Sequence, residues 1–243
     1  VYRELECGVP GAVAWSVVSP APDAEAFVLP DGCMDLIWHE RGFVVAGPDT
    51  VAHRTSAAGP RAIGLRFAPG LGPRVFGVSA DALRDTRLSL DELWPAAVVR
   101  RLSDAAEVDP LRAIADEARR RLEGVGRPVE TEIAAYLAAG ASVSAAATML
   151  GWSDRRLHRK SLSAFGYGPK TLSRVLRFDR ALSAARTGTP FARVAAETGY
   201  ADQAHLAREV RALAGVSLSA LVGQPGSAAK RSTVLPSGSF SVA

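Results

Sequence analysis

Arginine, histidine and glutamine side chains cluster twice in the back half of the chain, each time just after a glycine-containing turn. Ala147-Thr148-Met149-Leu150-Gly151-Trp152-Ser153-Asp154 is echoed by Ala195-Ala196-Glu197-Thr198-Gly199-Tyr200-Ala201-Asp202, an offset of 48 residues. The first copy is followed by Arg155, Arg156, His158 and Arg159, the second by Gln203, Ala204, His205 and Arg208. A guanidinium forks onto the O6 and N7 of guanine, a Gln amide onto the edge of adenine, and an Ala methyl can touch that of thymine. The chemistry these types suggest is recognition of duplex DNA at two places. Arg174 and Arg177, which lie between the copies, suit phosphate or solvent.

Helices must position these side chains. Apolar spacing predicts a short helix over Val143–Leu150 and a longer one over Asp154–Phe165, then a second pair over Phe191–Thr198 and Asp202–Ala214. Pro169–Arg186 between them reads as one long helix, with Leu172, Val175, Leu176, Asp179 and Leu182 at helical spacing and Arg174, Arg177 and Arg180 interleaved. Gly151 and Gly199 suit the left-handed residue that ends one helix, and Ser153 or Asp202 can cap the next. This is helix-turn-helix geometry, twice. In such a motif the first turns of the second helix face base edges while an apolar residue, here Leu157 or Leu206, holds it to its domain.

The segment from about Val129 to Val222 resembles the paired helix-turn-helix domain of the AraC/XylS transcriptional regulators. The resemblance lies in Gly199-Tyr200-Ala201-Asp202-Gln203-Ala204-His205-Leu206-Ala207-Arg208, in Gly215-Val216-Ser217, and in the Gly166-Tyr167-Gly168-Pro169-Lys170 joint. It implies a cytoplasmic, sequence-specific transcription regulator whose partner is double-stranded DNA, and RNA polymerase as well if it activates. One departure stands out: Ser161 occupies a place in the first reading helix where the family usually has a core aromatic, with Leu162 or Phe165 as candidates to compensate.

The front of the chain follows a different pattern. Val13–Val18, Phe27–Leu29, Met34–Trp38, Phe43–Ala46 and Ala62–Phe67 are short apolar runs separated by turns such as Pro30-Asp31-Gly32 and Gly47-Pro48-Asp49. They predict a small β-rich barrel or sandwich. Ala62–Phe67 alternates and reads as a half-buried strand. From Gly77 the period becomes helical: Ser89 with Glu92 fits a capping box opening a helix through Leu90, Leu93 and Trp94. Asp109-Pro110 begins an amphipathic helix with Leu111, Ile114, Ala115, Ala118 and Leu122 on one face, packed on a neighbour or forming a dimer seam. The expected class is α+β: a β-rich regulatory domain (1–76), a helical connector (77–125), an all-α double helix-turn-helix domain (126–223) and a Ser-, Gly- and Pro-containing flexible tail (224–243).

Leu29–Trp38, Ala46–Thr50 and Leu65–Gly70 resemble an uncharacterised sensor-like domain that precedes this DNA-binding unit in some family members. That resemblance implies a small-molecule effector or a homodimer contact for the front half. On the strand after Gly32, Asp35 could supply a polar anchor and Trp38 an apolar contact for an effector; the alternative is that Met34, Leu36 and Trp38 are simply core. Asp31 and Asp35 read as serving the turn and the solvent face.

The charge balance agrees with the two halves. The whole chain carries net +4, but residues 1–125 hold 14 basic and 18 acidic side chains whereas residues 126–223 hold 13 and 7. A basic back half suits a polyanion. With 48% hydrophobic and 22% charged residues the composition is that of a globular protein. Cys7 and Cys33 cannot build a disulfide framework, and no apolar window is long enough for a membrane span. His39, His53, Cys33, Asp35 and Glu40 are the metal or acid-base candidates, but they lack the close His spacing that preassembles a site. Neither a metal, a cofactor nor a catalytic residue is expected. A metal- or thiol-dependent enzyme and an effector-independent dimeric or architectural DNA-binding protein are the alternatives.

Overall fold

The computed structural model describes residues 2–18, 25–56, 61–126 and 128–223. The segment read above as a tail, 224–243, lies outside the described residues. The strands are β1 (Tyr2–Leu5), β2 (Ala12–Val18), β3 (Glu25–Val28), β4 (Met34–His39), β5 (Gly42–Ala46), β6 (His53–Ser56), β7 (Arg61–Phe67) and β8 (Arg87–Ser89). Six form one antiparallel sheet in the order β1-β2-β7-β4-β5-β8, and β3 pairs with β6. The sheet does not close into the barrel that the spacing allowed. Its edges, β1 and the three-residue β8, do not pair with each other, and a helix covers the apolar face instead.

That helix is the second of a pair, α2 (Ala96–Val108) and α3 (Pro110–Leu122), which follow the short α1 (Gly72–Phe76). Asp109 caps α3 by accepting the amide of Arg112 at 3.0 Å, and Pro110 fills the first helical position. Ala113, Ile114, Ala115 and Ala118 then pack into one core with Leu36, Val45, Ile63, Leu65 and Phe67 of the sheet. The amphipathic stripe therefore faces its own sheet. The Ser89–Glu92 capping box forms, but it opens only a single 3-10 turn over Leu90–Glu92. Pro95 disfavours helix at the residue before it, and the next helix starts only at Ala96.

The central strand β7 is buried on both faces. Ile63, Leu65 and Phe67 enter the core, while on the other side Trp15 lies over Gly64 so closely that a Cβ there would come within 2.4 Å of the indole. Arg66 follows on that same side, paired across the sheet with Asp35. The expectation that Asp35 serves the solvent face is thus corrected. It is 1% exposed, accepts the indole N–H of Trp15 at 2.7 Å and lies 3.5 Å from Nε of the equally buried Arg66. Arg66 comes from the adjacent strand β7 and Trp15 from β2 on its far side, a relationship that register alone reveals.

The back half is all helical: α4 (Val129–Ala138), α5 (Val143–Met149), α6 (Asp154–Phe165), α7 (Pro169–Arg186), α8 (Phe191–Thr198), α9 (Gln203–Ala214) and α10 (Leu218–Gly223). Two separate cores are strung along α7. Leu172, Val175 and Leu176 join the first with Ile133, Leu137, Leu157 and Phe165. Phe178, Ala181 and Leu182 join the second with Val194, Leu206, Val210 and Leu213.

Candidate nucleic-acid interface

Each helix-turn-helix is closed by the expected local chemistry. Gly151 and Gly199 adopt φ of 63° and 82°, a region that costs other residues strain, so each lets the chain reverse out of its short helix. Ser153 then accepts the amide of Arg156 at 3.3 Å and Asp202 that of His205 at 2.6 Å, capping α6 and α9. The caps lie forty-nine residues apart although the glycines lie forty-eight apart, so the second turn is one residue longer. Beyond it α6 and α9 are equivalent: Leu157, Ser161, Ala164 and Phe165 are buried in one, Leu206, Val210, Leu213 and Ala214 in the other. Arg159 and Arg208 occupy matching positions.

The exposed faces of α6 and α9 carry the side chains singled out by sequence. Arg155, Arg156, His158, Arg159, Gln203, Ala204 and Arg208 are exposed and His205 is half-buried. Among the described residues Arg155, Arg159 and Arg208 have no ion-pair or hydrogen-bond partner, which leaves their guanidinium forks free. Arg156 stacks over the ring of Trp152, 4.4 Å from its centroid. That contact was legible only as an aromatic four residues before an arginine.

Besides Arg156, four of the sequence-selected residues have partners within the domain. The His158 ring lies against Gly168 of the joint, where a Cβ would come within 3.0 Å of Nε2. His205 accepts the Ala201 amide through Nδ1 at 3.3 Å and meets Tyr200 edge-on. Arg174 donates to Glu209 at 2.6 Å, tying α7 to α9. Arg177 lies over the Tyr200 ring and donates to the carbonyl of Gly199 at 3.4 Å, while Arg180 donates to that of Thr198 at 3.5 Å. These two cations sit where α8 leaves its last carbonyls unpaired and its dipole is negative.

The effector residues suggested by the sequence, Asp35 and Trp38, lie in the sheet. Asp35 is held by Trp15 and Arg66 as described, and the half-buried Trp38 packs against the core of the front half. Burial alone would lower the pKa of Arg66, but the carboxylates of Asp35 and Asp31 outweigh it and hold the guanidinium above its ordinary value. Among the described residues no group of three or more His, Cys, Asp or Glu side chains could hold a metal ion. Cys7 and Cys33 are free thiols.

Comparison with known proteins separates the same two regions. Residues 146–224 match the helix-turn-helix domain family, and residues 12–89 match a domain of unknown function, DUF6597. Residues 146–224 are an AraC-type helix-turn-helix domain. The back half of the chain accordingly carries a DNA-binding domain of the AraC type. Among curated proteins none matches it. Solved structures similar to it include an apo variant of ToxT from Vibrio cholerae, 10% identical, covering 88% of this chain and 97% of that one with a TM-score of 0.48. Unsaturated fatty acid-bound wild-type ToxT is also 10% identical, covering 90% and 96% with a TM-score of 0.44. Among the described residues no helix is long and apolar enough to cross a membrane.

Proposed function

We propose that the chain is a DNA-binding regulator of the AraC/XylS type and that it reads two adjacent major-groove segments of one duplex, placing α6 in one and α9 in the next. The observation that carries this reading is the equivalence of the two helices: matching apolar residues bury one face of each, and the opposite faces present Arg155 and Arg159, and Gln203 and Arg208, without partners. Gln203 and Ala204 in the first turn of α9 suit an adenine and a thymine methyl; Arg155, Arg159 and Arg208 suit guanine or, where they miss the base, phosphate. His158, Arg174, Arg177 and His205 act one step back, holding the joint and turns that aim those side chains.

The protein works in the cytoplasm, as a regulator rather than an enzyme, and contacts RNA polymerase if it activates. Control by a small-molecule effector or by homodimerisation through the front half belongs to the same proposal. The surroundings of Asp35 and Trp38 support a core role for both, so an effector would bind elsewhere in that half. The test is selection of bound sites from random duplex DNA by the whole chain. A bipartite enriched motif is expected; salt-sensitive binding without an enriched motif would favour an architectural protein.

A further inference from the structure

Both reading helices meet the front half of the chain at their C-terminal ends. Gly166 closes α6, and its carbonyl accepts Nη1 of Arg84 at 3.2 Å. Pro48 and Ala80 crowd the same glycine: a Cβ on it would lie 2.7 Å from Cγ of Pro48 and 3.1 Å from the Ala80 carbonyl oxygen. In α9 the carbonyl of Leu213 is among the last four, which have no intrahelical donor, and it accepts the amide of Ala52 at 2.6 Å. The front half thus supplies a donor to the C-terminal end of each reading helix and leaves their N-terminal turns exposed.

Between these attachments one turn straddles the two helix-turn-helix cores. Leu29 is buried in the second, with Phe178, Leu182 and Val210. Three residues on, Gly32 abuts the first: a Cβ on it would lie 3.4 Å from Leu172 and 3.6 Å from the hydroxyl of Tyr167. Gly70 faces that core too, and a Cβ on it would meet Glu130 at 2.8 Å and Phe165 at 3.1 Å. Leu29, Gly32, Pro48 and Gly70 come from the three stretches that mark the front half in sequence, so its most distinctive motifs converge on this seam.

We infer that the domain of unknown function is a splint for the DNA-binding domain of its own chain, gripping the ends of α6 and α9 and fixing their separation and relative tilt. The inference rests on the reading of α6 and α9 as DNA readers. Without a splint the two cores are joined chiefly through α7, and twist or bend of that helix changes how the reading helices meet successive grooves. A second body anchored to both removes that freedom before DNA arrives, so less ordering remains to be done on binding.

The experiment compares the full chain with Arg84→Ala and with Leu29→Asp, on a duplex enriched by the wild-type chain and on the same duplex lengthened between its two boxes. Hydrogen exchange at the Ala52 amide reports the seam. Leu29 lies outside the core of the sheet, so Leu29→Asp should open the seam without melting that sheet; should it not fold, Arg84→Ala carries the test. The wild type should lose on the order of 30-fold in affinity when about two base pairs are inserted, because the helices can no longer both reach their boxes. The variants should exchange Ala52 faster, bind the original duplex about 3- to 10-fold more weakly, and tolerate the insertion better. Unchanged Ala52 protection, or wild-type spacing discrimination, in both folded variants overturns the splint. A wild-type chain that enriches no duplex overturns the DNA reading beneath it, a distinct outcome.

Discussion

The backbone amide of Ala52 donates to the carbonyl of Leu213 at 2.6 Å, joining the loop before β6 to the end of the second reading helix. Secondary structure cannot supply that carbonyl with a donor, because it belongs to the last turn of α9. A residue more than 150 positions away in sequence completes the helix, and with Arg84 at Gly166 it makes the DNA-binding domain's geometry depend on the front half.

Base-reading and supporting side chains should separate in a specificity profile. Gln203→Ala and Arg208→Ala should each relax preference at particular base pairs, with ~1–3 kcal/mol of discrimination lost at a contacted pair. Arg177→Ala removes the cation over Tyr200 and the donor to Gly199, so it should lower the melting temperature of the chain and weaken all sequences together. Equal flattening at every position by all three changes would contradict the assignment of Gln203 and Arg208.

The back half was legible because its rules are local. Gly199, Asp202 and Leu206 lie within eight residues of one another, and glycine conformation, capping and apolar spacing each act over that range, so α7 and α8 have the predicted limits and α5, α6 and α9 differ by at most one residue. Strands β1, β6 and β8 were not legible. Their sequences, such as Arg87-Leu88-Ser89, hold no apolar run, and pairing with a neighbour makes them strands. The partners of Arg174, Arg177 and Asp35 were hidden for a related reason: each lies on another element, and only the packed structure brings it near. The seam between the halves was invisible, since nothing about Gly32 or Gly70 in sequence says that Tyr167 or Phe165 will lie against them.

Asp35 should prove structural. Asp35→Ala leaves Arg66 buried with one carboxylate fewer and the Trp15 indole without its acceptor, so stability should fall by ~3–5 kcal/mol. Urea unfolding of the full chain, followed by tryptophan fluorescence, checks this. A folded variant with an unchanged midpoint would show that the pair does not hold the sheet.

Ser161 should be improvable. It is fully buried in the α6 interface, its hydroxyl has no hydrogen-bond partner among the described residues, and the equivalent position in α9 is Val210. Ser161→Ala removes an uncompensated polar group and should raise stability by ~1 kcal/mol. A loss of stability in thermal unfolding would mean that the hydroxyl is satisfied in solution.

His39 should make the front half sensitive to acid. Its Nδ1 accepts the Arg41 amide at 3.1 Å, which requires that nitrogen to be unprotonated. Burial, and then the charge of Arg41, hold its pKa below the ordinary histidine value. The unfolded chain therefore binds the proton at higher pH than the folded one, and stability falls as pH drops below about 6.5 toward the folded value. Melting temperatures between about pH 7.5 and pH 5 should decline, and His39→Gln should remove part of that slope. An identical slope in the variant would assign the acid sensitivity to other groups.

The most direct test of the double reading is a hydroxyl-radical footprint of the full chain on a duplex that it has enriched from random sequence. Two helix-turn-helix motifs linked by α7 predict two protected windows on the same face of the duplex, centred about 10 base pairs apart, with Gln203→Ala affecting one window and Arg159→Ala the other. A single protected window, or two windows that both substitutions affect alike, would contradict the account.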